Sequence, residues 1–158
     1  MIPSQNTVGT VKSIFISSSA GEPMQKVNSV RALKGQGLEG DRYAKQMGFW
    51  QKVTKPRDII KHVSIIRAQD IQNSGFTEAE TRRNIVVTTD INLIDLIGKE
   101  FYIGEVLFRG VEDCAPCKRP SELSGKPDFA IVFKNRGGLR AEVLSSGVIS
   151  EGIQIQQT

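Results

Sequence analysis

Short runs in which apolar and polar residues alternate recur along the chain, and this period of two predicts β-strands. The predicted strands lie at 7–17, 26–33, 58–66, 82–89 and, on both sides of Gly104, 100–112. A last segment, 138–156, predicts a strand, a Ser-Ser-Gly turn and another short strand. Because most strands follow one another directly, the pattern favours a β-barrel or sandwich over a parallel sheet with crossover helices.

Helical patterns are confined to short segments of this strand-rich chain. A short helix is predicted at 67–75, with Ile71 facing the core and Gly75 ending the helix. One helical turn is predicted within the apolar connection 91–98, and a second helix at about 127–135. We therefore expect a mainly β fold with a few short decorating helices.

Length and composition indicate one globular domain spanning residues 1–158. The chain has 158 residues, of which 39 % are hydrophobic, and this is enough to bury a core. No apolar run approaches the roughly 20 residues of a membrane span, and the N-terminus has no signal-peptide pattern, so no membrane association and a cytoplasmic location are predicted.

The net charge of +4 raises the alternative of a nucleic-acid-binding β-barrel. Such a module interleaves aromatic and basic side chains on one strand face. Here the basic residues are dispersed and only 6 % of the residues are aromatic, so a solvated basic surface is favoured over nucleic-acid binding.

Residues 35–40 read Gly-Gln-Gly-Leu-Glu-Gly, which matches the G-x-G-x-x-G pattern of dinucleotide-binding loops. That site requires a helix that begins at the last glycine, and residues 41–48 have no sustained apolar face, so we reject this reading. The glycines are expected to supply positive φ angles in a tight loop, or to let backbone N–H groups approach an anion. The pair that follows, Asp41 and Arg42, either locks this loop or lines a pocket.

The two cysteines, Cys114 and Cys117, form a C-x-x-C motif. A structural zinc site needs four nitrogen or sulfur ligands, and His62 is the single histidine, so zinc is not expected. A dithiol redox pair is one alternative, although the βαβ pattern that usually surrounds such a pair is missing. Two buried cysteines without a chemical task are another alternative.

A single working thiol is the remaining interpretation of this motif, and it favours Cys117. Lys118 and Arg119 follow this residue, and neighbouring cations stabilise the thiolate that acts as a nucleophile and as a soft-metal ligand. Cys114 instead follows two acidic residues, which favour the neutral thiol. Of the two cysteines, Cys117 is therefore the better candidate for reactivity.

Two arginine clusters lie beside predicted strands and turns. Arg82 and Arg83 stand at the start of one predicted strand, and Arg136 and Arg140 flank a Gly-Gly turn. Guanidinium groups bind phosphate and carboxylate groups in a bidentate manner, although exposed surface arginines are commoner. Both clusters are candidates for binding an anionic ligand.

Several of these stretches occur in the order found in a known family. The segments GLEGDRYA (37–44), RRNIVV (82–87), APCKR (115–119) and RGGLRAEVL (136–144) together resemble a MOSC domain. This domain is found at the C-terminus of molybdenum cofactor sulfurases and as small standalone bacterial proteins. The resemblance is strongest over residues 24–153, and its specificity comes from the joint order and spacing of the motifs.

The resemblance implies a predominantly β fold with a barrel core, and a function in molybdenum-cofactor binding or in carrying sulfur for metal–sulfur cluster biosynthesis. The motif cysteine of the family corresponds to Cys117, which in relatives is proposed to carry sulfur as a persulfide or to ligate molybdenum. An enzyme of sulfur transfer or a cofactor-dependent oxidoreductase is implied, since some relatives reduce N-hydroxylated compounds. The implied partners are a small-molecule cofactor or substrate, a sulfur donor such as a cysteine desulfurase, or an electron-donor protein. The family is also associated with pyridoxal phosphate binding.

Site residues follow from the residue chemistry together with the resemblance. Cys117 and Asp41 are the expected catalytic residues, and Cys117 is the expected metal ligand. The residues expected to bind the molybdenum cofactor, molybdopterin, are Gly40, Arg42, Arg82, Arg83, Asn84, Gly138 and Arg140. The chain departs from the family at Gly152-Ile153, where Gly-Asp is frequent, and it lacks a His-rich segment after residue 42. These departures argue against the reductase activity of some relatives.

Overall fold

Strands outnumber helices in the computed structural model, which describes residues 7–45 and 62–158. The strands are β1 Thr7–Ile16, β2 Gln25–Val27, β3 Ser29–Leu33, β4 Gly37–Leu38, β5 Val63–Arg67, β6 Ile85–Thr89, β7 Glu100–Ile103, β8 Val106–Asp113, β9 Leu139–Val143, β10 Gly147–Ser150 and β11 Gln154–Gln157. The helices are α1 Ala68–Ile71, α2 Arg119–Ser124 and α3 Phe129–Val132, with 3-10 turns at Ala79–Thr81 and Leu93–Leu96. The first part of the strand predicted at 58–66 lies outside the described residues.

Seven strands close into a barrel in the order β1-β11-β7-β8-β9-β5-β6, and β6 pairs again with β1. Neighbouring barrel strands are antiparallel except β5 and β6, which run parallel. A parallel pair needs a crossover connection, and here this connection contains α1 and a 3-10 turn. β2 extends the sheet beside β1, while β10, β3 and β4 form a separate sheet. The prediction of a mainly β fold with a barrel core is confirmed.

The barrel interior is filled by alternate residues of its strands, because successive side chains of a strand point to opposite faces. In β5, β6 and the last part of β1 both faces are buried, one inside the barrel and one beneath the helices. The inward residues of these strands include Ile14, Ile65 and Ile85, and their outward neighbours are Phe15, Ile66 and Val86. Strands that are covered on both faces read as continuous apolar runs, which explains the runs in these three segments.

A second apolar cluster lies outside the barrel and attaches the helices to it. Phe76 meets Phe129 edge to face with ring centroids 5.2 Å apart, and Phe129 stacks on Phe133 at 4.5 Å. Such aromatic pairs contribute about 0.5–1.5 kcal/mol beyond their buried area. Ile71 of α1 is buried in the same cluster, as the pattern predicts. The cluster thus fixes α3, and through it the segment after the C-x-x-C motif, against the barrel wall.

Three helix assignments need correction. The helix predicted at 67–75 is limited to α1, which ends at Ile71 and not at Gly75, because Gln72 has an extended backbone (ψ 131°) and Asn73 a left-handed one (φ 62°). The helix predicted at 127–135 is limited to α3, because Asp128 and Asn135 adopt left-handed backbone conformations (φ 69° and 65°) that interrupt a right-handed helix. The pattern does not predict α2, although Pro120 in its first turn is a common start signal. The helical turn predicted within 91–98 is confirmed as the 3-10 turn Leu93–Leu96.

The strand predicted at 26–33 also needs correction. It is divided at Asn28 into β2 and β3, which pair in different sheets. The segment 100–112 forms two strands, β7 and β8, joined across Gly104, and 138–156 forms three strands rather than two. No helix among the described residues is long and apolar enough to cross a membrane.

The candidate site residues gather beside β5, where other strands begin and finish on both of its sides. Ile65 of β5 pairs with Ile85 at the start of β6 and with Leu139 at the start of β9, and β1 and β8 finish next to those starts. The turns that leave or enter these strands contain Arg82 and Arg83, Cys114, and Gly138. Closure of the barrel therefore brings together motifs that are far apart in the chain.

Candidate functional site

A small cavity beside β5 is lined by both cysteines and by five arginines. The arginines are Arg42, Arg82, Arg83, Arg119 and Arg140. The cavity volume is about 40 Å³, which is room for about three water molecules. Four of the five arginines belong to the predicted set of cofactor-binding residues, so the fold gathers most of that set around one space.

The cysteines reach this cavity from the turn that follows β8. Cys114 is 1 % exposed and Cys117 is half-buried, and both carry free thiols. Cys117 therefore faces the arginine-lined cavity and solvent at the same time. This position agrees with the sequence-based expectation of a thiol in a basic environment.

Asp41 holds the loop from which Arg42 enters the cavity. Its fully buried carboxylate accepts hydrogen bonds from the backbone N–H groups of Ser17 (2.9 Å) and Tyr43 (3.2 Å) and from the Arg42 guanidinium (3.1 Å). The Arg42 N–H in turn donates to the Ser17 carbonyl (2.6 Å). Within this pair, Asp41 locks the loop and Arg42 lines the cavity. A catalytic role for Asp41 stays a prediction.

The glycines before this loop have the positive φ angles that the sequence predicts. The angles are 73° at Gly35, 133° at Gly37 and 85° at Gly40. A Cβ atom at Gly37 would lie 2.6 Å from the His62 carbonyl oxygen, so close packing requires glycine there. These three glycines shape the chain behind Arg42 and are not among the described residues that line the cavity.

Arg82 lies in the turn that precedes β6 and is crowded by other cations. Its backbone is left-handed (φ 60°, ψ 25°), and its guanidinium donates to the Glu22 carbonyl (2.7 Å). Burial, followed by repulsion from Arg42 and Arg119, lowers the pKa of Arg82 from its ordinary value to about 10. Arg82 is still protonated at neutral pH, and an anion in the cavity would relieve the repulsion among these groups.

Arg83 is buried and fastens three turns to one another. Its guanidinium donates to the carbonyl oxygens of Gly137 (2.7 Å), Thr81 (3.2 Å) and Cys114 (3.1 Å), and it lies over the Phe129 ring at 5.7 Å. Because each carbonyl belongs to a different turn beside the cavity, Arg83 fixes the C-x-x-C segment relative to β6 and β9.

Arg140 and Tyr43 form a polar link across the cavity wall. Burial opposes the charged form of Arg140, but attraction to Cys114, Tyr43 and Glu112 and a hydrogen bond to Tyr43 outweigh it and raise the pKa of Arg140. The Glu112 carboxylate is 3.8 Å from the Arg140 Nε atom. The Tyr43 hydroxyl also accepts a hydrogen bond from Arg42 (3.4 Å), so it joins two of the arginines.

Asn84 and Gly138 belong to the framework behind the cavity. The buried Asn84 amide accepts from the Ser64 N–H (3.0 Å) and hydroxyl (3.2 Å) and donates to the Phe15 carbonyl (3.1 Å), which ties β5, β6 and β1 together. Gly138 has a φ of 108°, and a Cβ atom there would overlap the Ile65 carbonyl oxygen. The structure thus gives both residues architectural contacts, and their cofactor-binding role stays a prediction.

Arg119 and Tyr43 are among the cavity residues that are absent from the predicted set. The sequence identifies Arg119 only as a cation beside Cys117. Its place in the cavity depends on α2, which begins at Arg119 and is not predicted by the pattern. Tyr43 follows the Asp41-Arg42 pair directly in the sequence. Its position next to that pair is the one signal for its presence in the site.

The chemistry of the cavity is that of an anion-binding site with sulfur. Guanidinium groups are always charged at neutral pH and present forked donors to oxyanions. The acidic partners are few, chiefly Asp41 beside Arg42 and the exposed Glu112 beside Arg140. Within the described ranges, no three His, Cys, Asp or Glu side chains are grouped to hold a metal ion, so the thiols are the soft ligands that this cavity offers.

Comparisons with known proteins agree with this architecture. The MOSC domain family model matches residues 60–156. The YuaD protein from Bacillus subtilis has a similar structure, with 16 % identity, a TM-score of 0.76 and coverage of 94 % of each chain. YiiM from Escherichia coli has 16 % identity and a TM-score of 0.64, covering 94 % of this chain and 69 % of that one. YiiM from Geobacillus stearothermophilus has 16 % identity and a TM-score of 0.62, covering 97 % and 73 % respectively. These likenesses concern the fold, and no curated protein matches the sequence.

Proposed function

The chain belongs to the MOSC domain family, and from this premise we propose that Cys117 carries sulfur as a persulfide in the arginine-lined cavity. The family is associated with molybdenum-cofactor binding and with sulfur-carrier roles. Both roles require a reactive protein sulfur beside a site for anions. The proposal assigns these two parts to Cys117 and to the arginine cluster.

The observation that carries the proposal is the position of Cys117, half-buried at a cavity lined by five arginines. A persulfide is anionic, and nearby guanidinium groups stabilise an anion most strongly where water is partly excluded. The half-buried position also leaves the sulfur accessible to a donor. A fully buried sulfur could be stabilised as an anion by the guanidinium groups, but a sulfur donor could not reach it.

Loading of Cys117 is a transfer of sulfane sulfur between two thiols. The Cys117 thiolate attacks the terminal sulfur of a donor persulfide, for example that of a cysteine desulfurase. A new S–S bond forms at Cys117 as the S–S bond of the donor breaks, and the donor thiolate leaves with the proton of the transferred sulfur. Cys117 then holds an anionic persulfide, and no outside oxidant is needed because the donor sulfur is already at the sulfane level.

The cavity volume supports the persulfide over a fully enclosed cofactor. About 40 Å³ takes one added sulfur atom and a few water molecules. A pterin ring system does not fit into that volume, so a bound molybdopterin would place only its anionic end among the described residues.

Molybdenum-cofactor binding is the second candidate function, and the arginine cluster favours it. The residues fit the group in kind, since Arg42, Arg82 and Arg140 offer forks for a phosphate and Cys117 offers a soft ligand for the metal. When bound, the cofactor would supply redox chemistry at molybdenum. In that case the contribution of the chain is to bind the phosphate, to present the Cys117 sulfur and to exclude part of the solvent.

The persulfide proposal is tested by loading the purified protein with a cysteine desulfurase and cysteine under anaerobic conditions. Persulfide-selective labelling and intact mass measurement should find one added sulfur atom at Cys117 in the wild type. Cys117→Ser should lose the label, whereas the matched variant Cys114→Ser should keep it. A label that persists at wild-type level in Cys117→Ser would refute the assignment.

The cofactor candidate is tested by expression in a host that makes molybdenum cofactor. Metal analysis and fluorescence of the oxidised pterin should find both components in the wild type and less of both in Arg82→Gln. The control is Arg31→Gln, which changes the same charge at an exposed strand position. If neither persulfide nor cofactor is found and Cys117→Ser behaves as wild type, both functions are refuted.

A further inference from the structure

A second cysteine, Cys114, lines the same cavity as Cys117. The acidic residues that precede it in the sequence, Glu112 and Asp113, are exposed at the end of β8, whereas the Cys114 side chain is buried. Arg140 lines the same cavity, and its guanidinium lies within electrostatic reach of Cys114. The fold therefore places Cys114 in the same electropositive space as Cys117, contrary to the inference from its sequence neighbours.

The covalent spacing and the shared cavity keep the two cysteine residues near each other. Three residue steps separate them, which limits the distance between their Cα atoms to about 10 Å even in an extended chain. The turn is folded against Gly137, where a Cβ atom would overlap the Cys114 carbonyl oxygen and lie 3.1 Å from the Pro116 ring. Both residues line a space of about 40 Å³, only about three water molecules in size.

The two cysteines differ in mobility and access. Cys114 is held on both sides of its backbone, since its N–H donates to the Gly138 carbonyl (2.9 Å) and its carbonyl accepts from Arg83 (3.1 Å). At 1 % exposure it is out of reach of a protein donor, whereas Cys117 is half-buried. One cysteine is thus placed to accept sulfur from outside, and the other can meet that sulfur only from within the cavity.

We propose that Cys114 is the resolving thiol that releases sulfide from the Cys117 persulfide and leaves a Cys114–Cys117 disulfide. This step rests on the proposed persulfide function of Cys117 and adds a product, hydrogen sulfide, and a regulated end state. It also gives a task to the buried cysteine, which the carrier function does not use.

The step balances in atoms and electrons. The Cys114 sulfur attacks the inner sulfur of the Cys117 persulfide, the bond to the terminal sulfur breaks, and that sulfur leaves as hydrosulfide with the proton of the Cys114 thiol. Two cysteine sulfurs are oxidised to the disulfide while the sulfane sulfur is reduced to sulfide. A dithiol reductant of the thioredoxin class returns the pair to free thiols.

The arginine cluster suits the leaving group as well as the persulfide. Hydrosulfide departs as an anion into a cavity bordered by Arg82, Arg119 and Arg140. Cations near a departing anion lower the barrier of the step, since the charge that develops is met by fixed partners. Because the Cys114 backbone is anchored, closing the disulfide requires movement of the half-buried Cys117 side.

The experiment loads wild type, Cys114→Ser, Cys114→Ala and Cys117→Ser with inorganic polysulfide without added thiol, removes the excess reagent, and follows sulfide release and intact mass with time. In the wild type, the mass of the added sulfur should be lost while the Cys114–Cys117 disulfide forms, which peptide mapping detects. About one sulfide should be released per disulfide. Cys114→Ser and Cys114→Ala should keep the persulfide on Cys117 and release sulfide at least about tenfold more slowly. Circular dichroism of the variants reports whether they are folded.

The outcomes separate this inference from the function on which it rests. If wild type and both Cys114 variants hold the persulfide on Cys117 and lose it at the same rate, the resolving role is refuted and the carrier function stands. If no persulfide forms on Cys117 in the Cys114 variants and no Cys114–Cys117 disulfide forms in the wild type, the carrier function fails and the resolving role fails with it. If both Cys114 variants are unfolded, disulfide mapping of the loaded wild type decides, and the absence of the Cys114–Cys117 peptide overturns the inference.

Discussion

Replacing Arg83 by methionine should destabilise the protein far more than the loss of an exposed arginine. Methionine keeps the length of the side chain and much of its buried volume, but it donates no hydrogen bond. The carbonyl oxygens of Gly137, Thr81 and Cys114 would then lose the donor that they share. The perturbation therefore isolates the guanidinium that joins three turns beside the cavity.

The magnitude follows from the number and type of these bonds. A hydrogen bond to a charged group contributes about 1.5–3 kcal/mol, and three of them set an upper limit of about 9 kcal/mol. The carbonyls lie beside a cavity that admits water, so solvent replaces part of the loss. Relief of repulsion within the arginine cluster acts in the opposite direction. We expect the free energy of unfolding to fall by about 3 kcal/mol, in the range of other broken buried networks.

Urea unfolding followed by circular dichroism measures this loss. With a slope of about 1–3 kcal/mol per molar urea, the midpoint of Arg83→Met should fall by about 1–3 M. The control, Arg31→Met, removes the same charge from an exposed strand position and should change stability by less than about 0.5 kcal/mol. Arg83→Lys keeps the charge without the fork and should lose about 2 kcal/mol. Equal midpoints for Arg83→Met and Arg31→Met would show that Arg83 does not hold these turns together.

Three further predictions concern backbone, pH and the buried carboxylate. Gly138→Ala should lower the free energy of unfolding by about 3 kcal/mol or more, because the φ of Gly138 is 108° and a Cβ atom would overlap a carbonyl oxygen of a neighbouring strand. In the same urea assay the control Gly125→Ala, where φ is 75° and the space is open, should lower it by about 1 kcal/mol. Burial, only partly opposed by a nearby carboxylate, lowers the pKa of His62 below its ordinary 6.5. The unfolded chain then takes up this proton first, so stability should fall as the pH drops below about 6.5, and His62→Gln should reduce that fall in urea titrations at several pH values. Asp41→Asn should lower the free energy of unfolding by about 3 kcal/mol, since it removes the carboxylate beside the buried Arg42 and turns an amide N–H₂ toward other donors. The exposed control Asp95→Asn should change it by less than about 0.5 kcal/mol. Similar melting curves for the two variants would contradict the locking role of Asp41.

Local sequence patterns are enough to predict most strands, because the alternation of apolar and polar residues reflects which face of a strand is buried. The run Ile14-Phe15 is apolar at both positions, since one side chain enters the barrel and the other packs under the helices. The break at Asn28 is different, because it depends on the pairing of β2 and β3 with distant partners. The sequence of residues 26–33 does not indicate that its two halves join separate sheets, so periodicity alone cannot predict the break at Asn28.

The site is predictable only as far as its chemistry is local. Cys117 is followed by Lys118 and Arg119 in the sequence, and in the folded protein Cys117 and Arg119 line the same cavity. The surroundings of Cys114 are not local, because its acidic neighbours Glu112 and Asp113 are both exposed, while the pairing of β8 with β9 brings Arg140 to the cavity that Cys114 lines. The electrostatic environment of a side chain thus depends on strand register, which a single sequence leaves open.

The seam between β1 and β11 has a consequence for synthesis on the ribosome. Thr7 pairs with Gln156, so almost the whole described chain must emerge before this seam can form. Until then the nascent chain carries two unpaired strand edges, one on β1 and one on β7, which are templates for misassociation with other chains. Folding of this barrel is therefore expected to finish late and cooperatively after translation, with a strong need for protection of the partly made sheet.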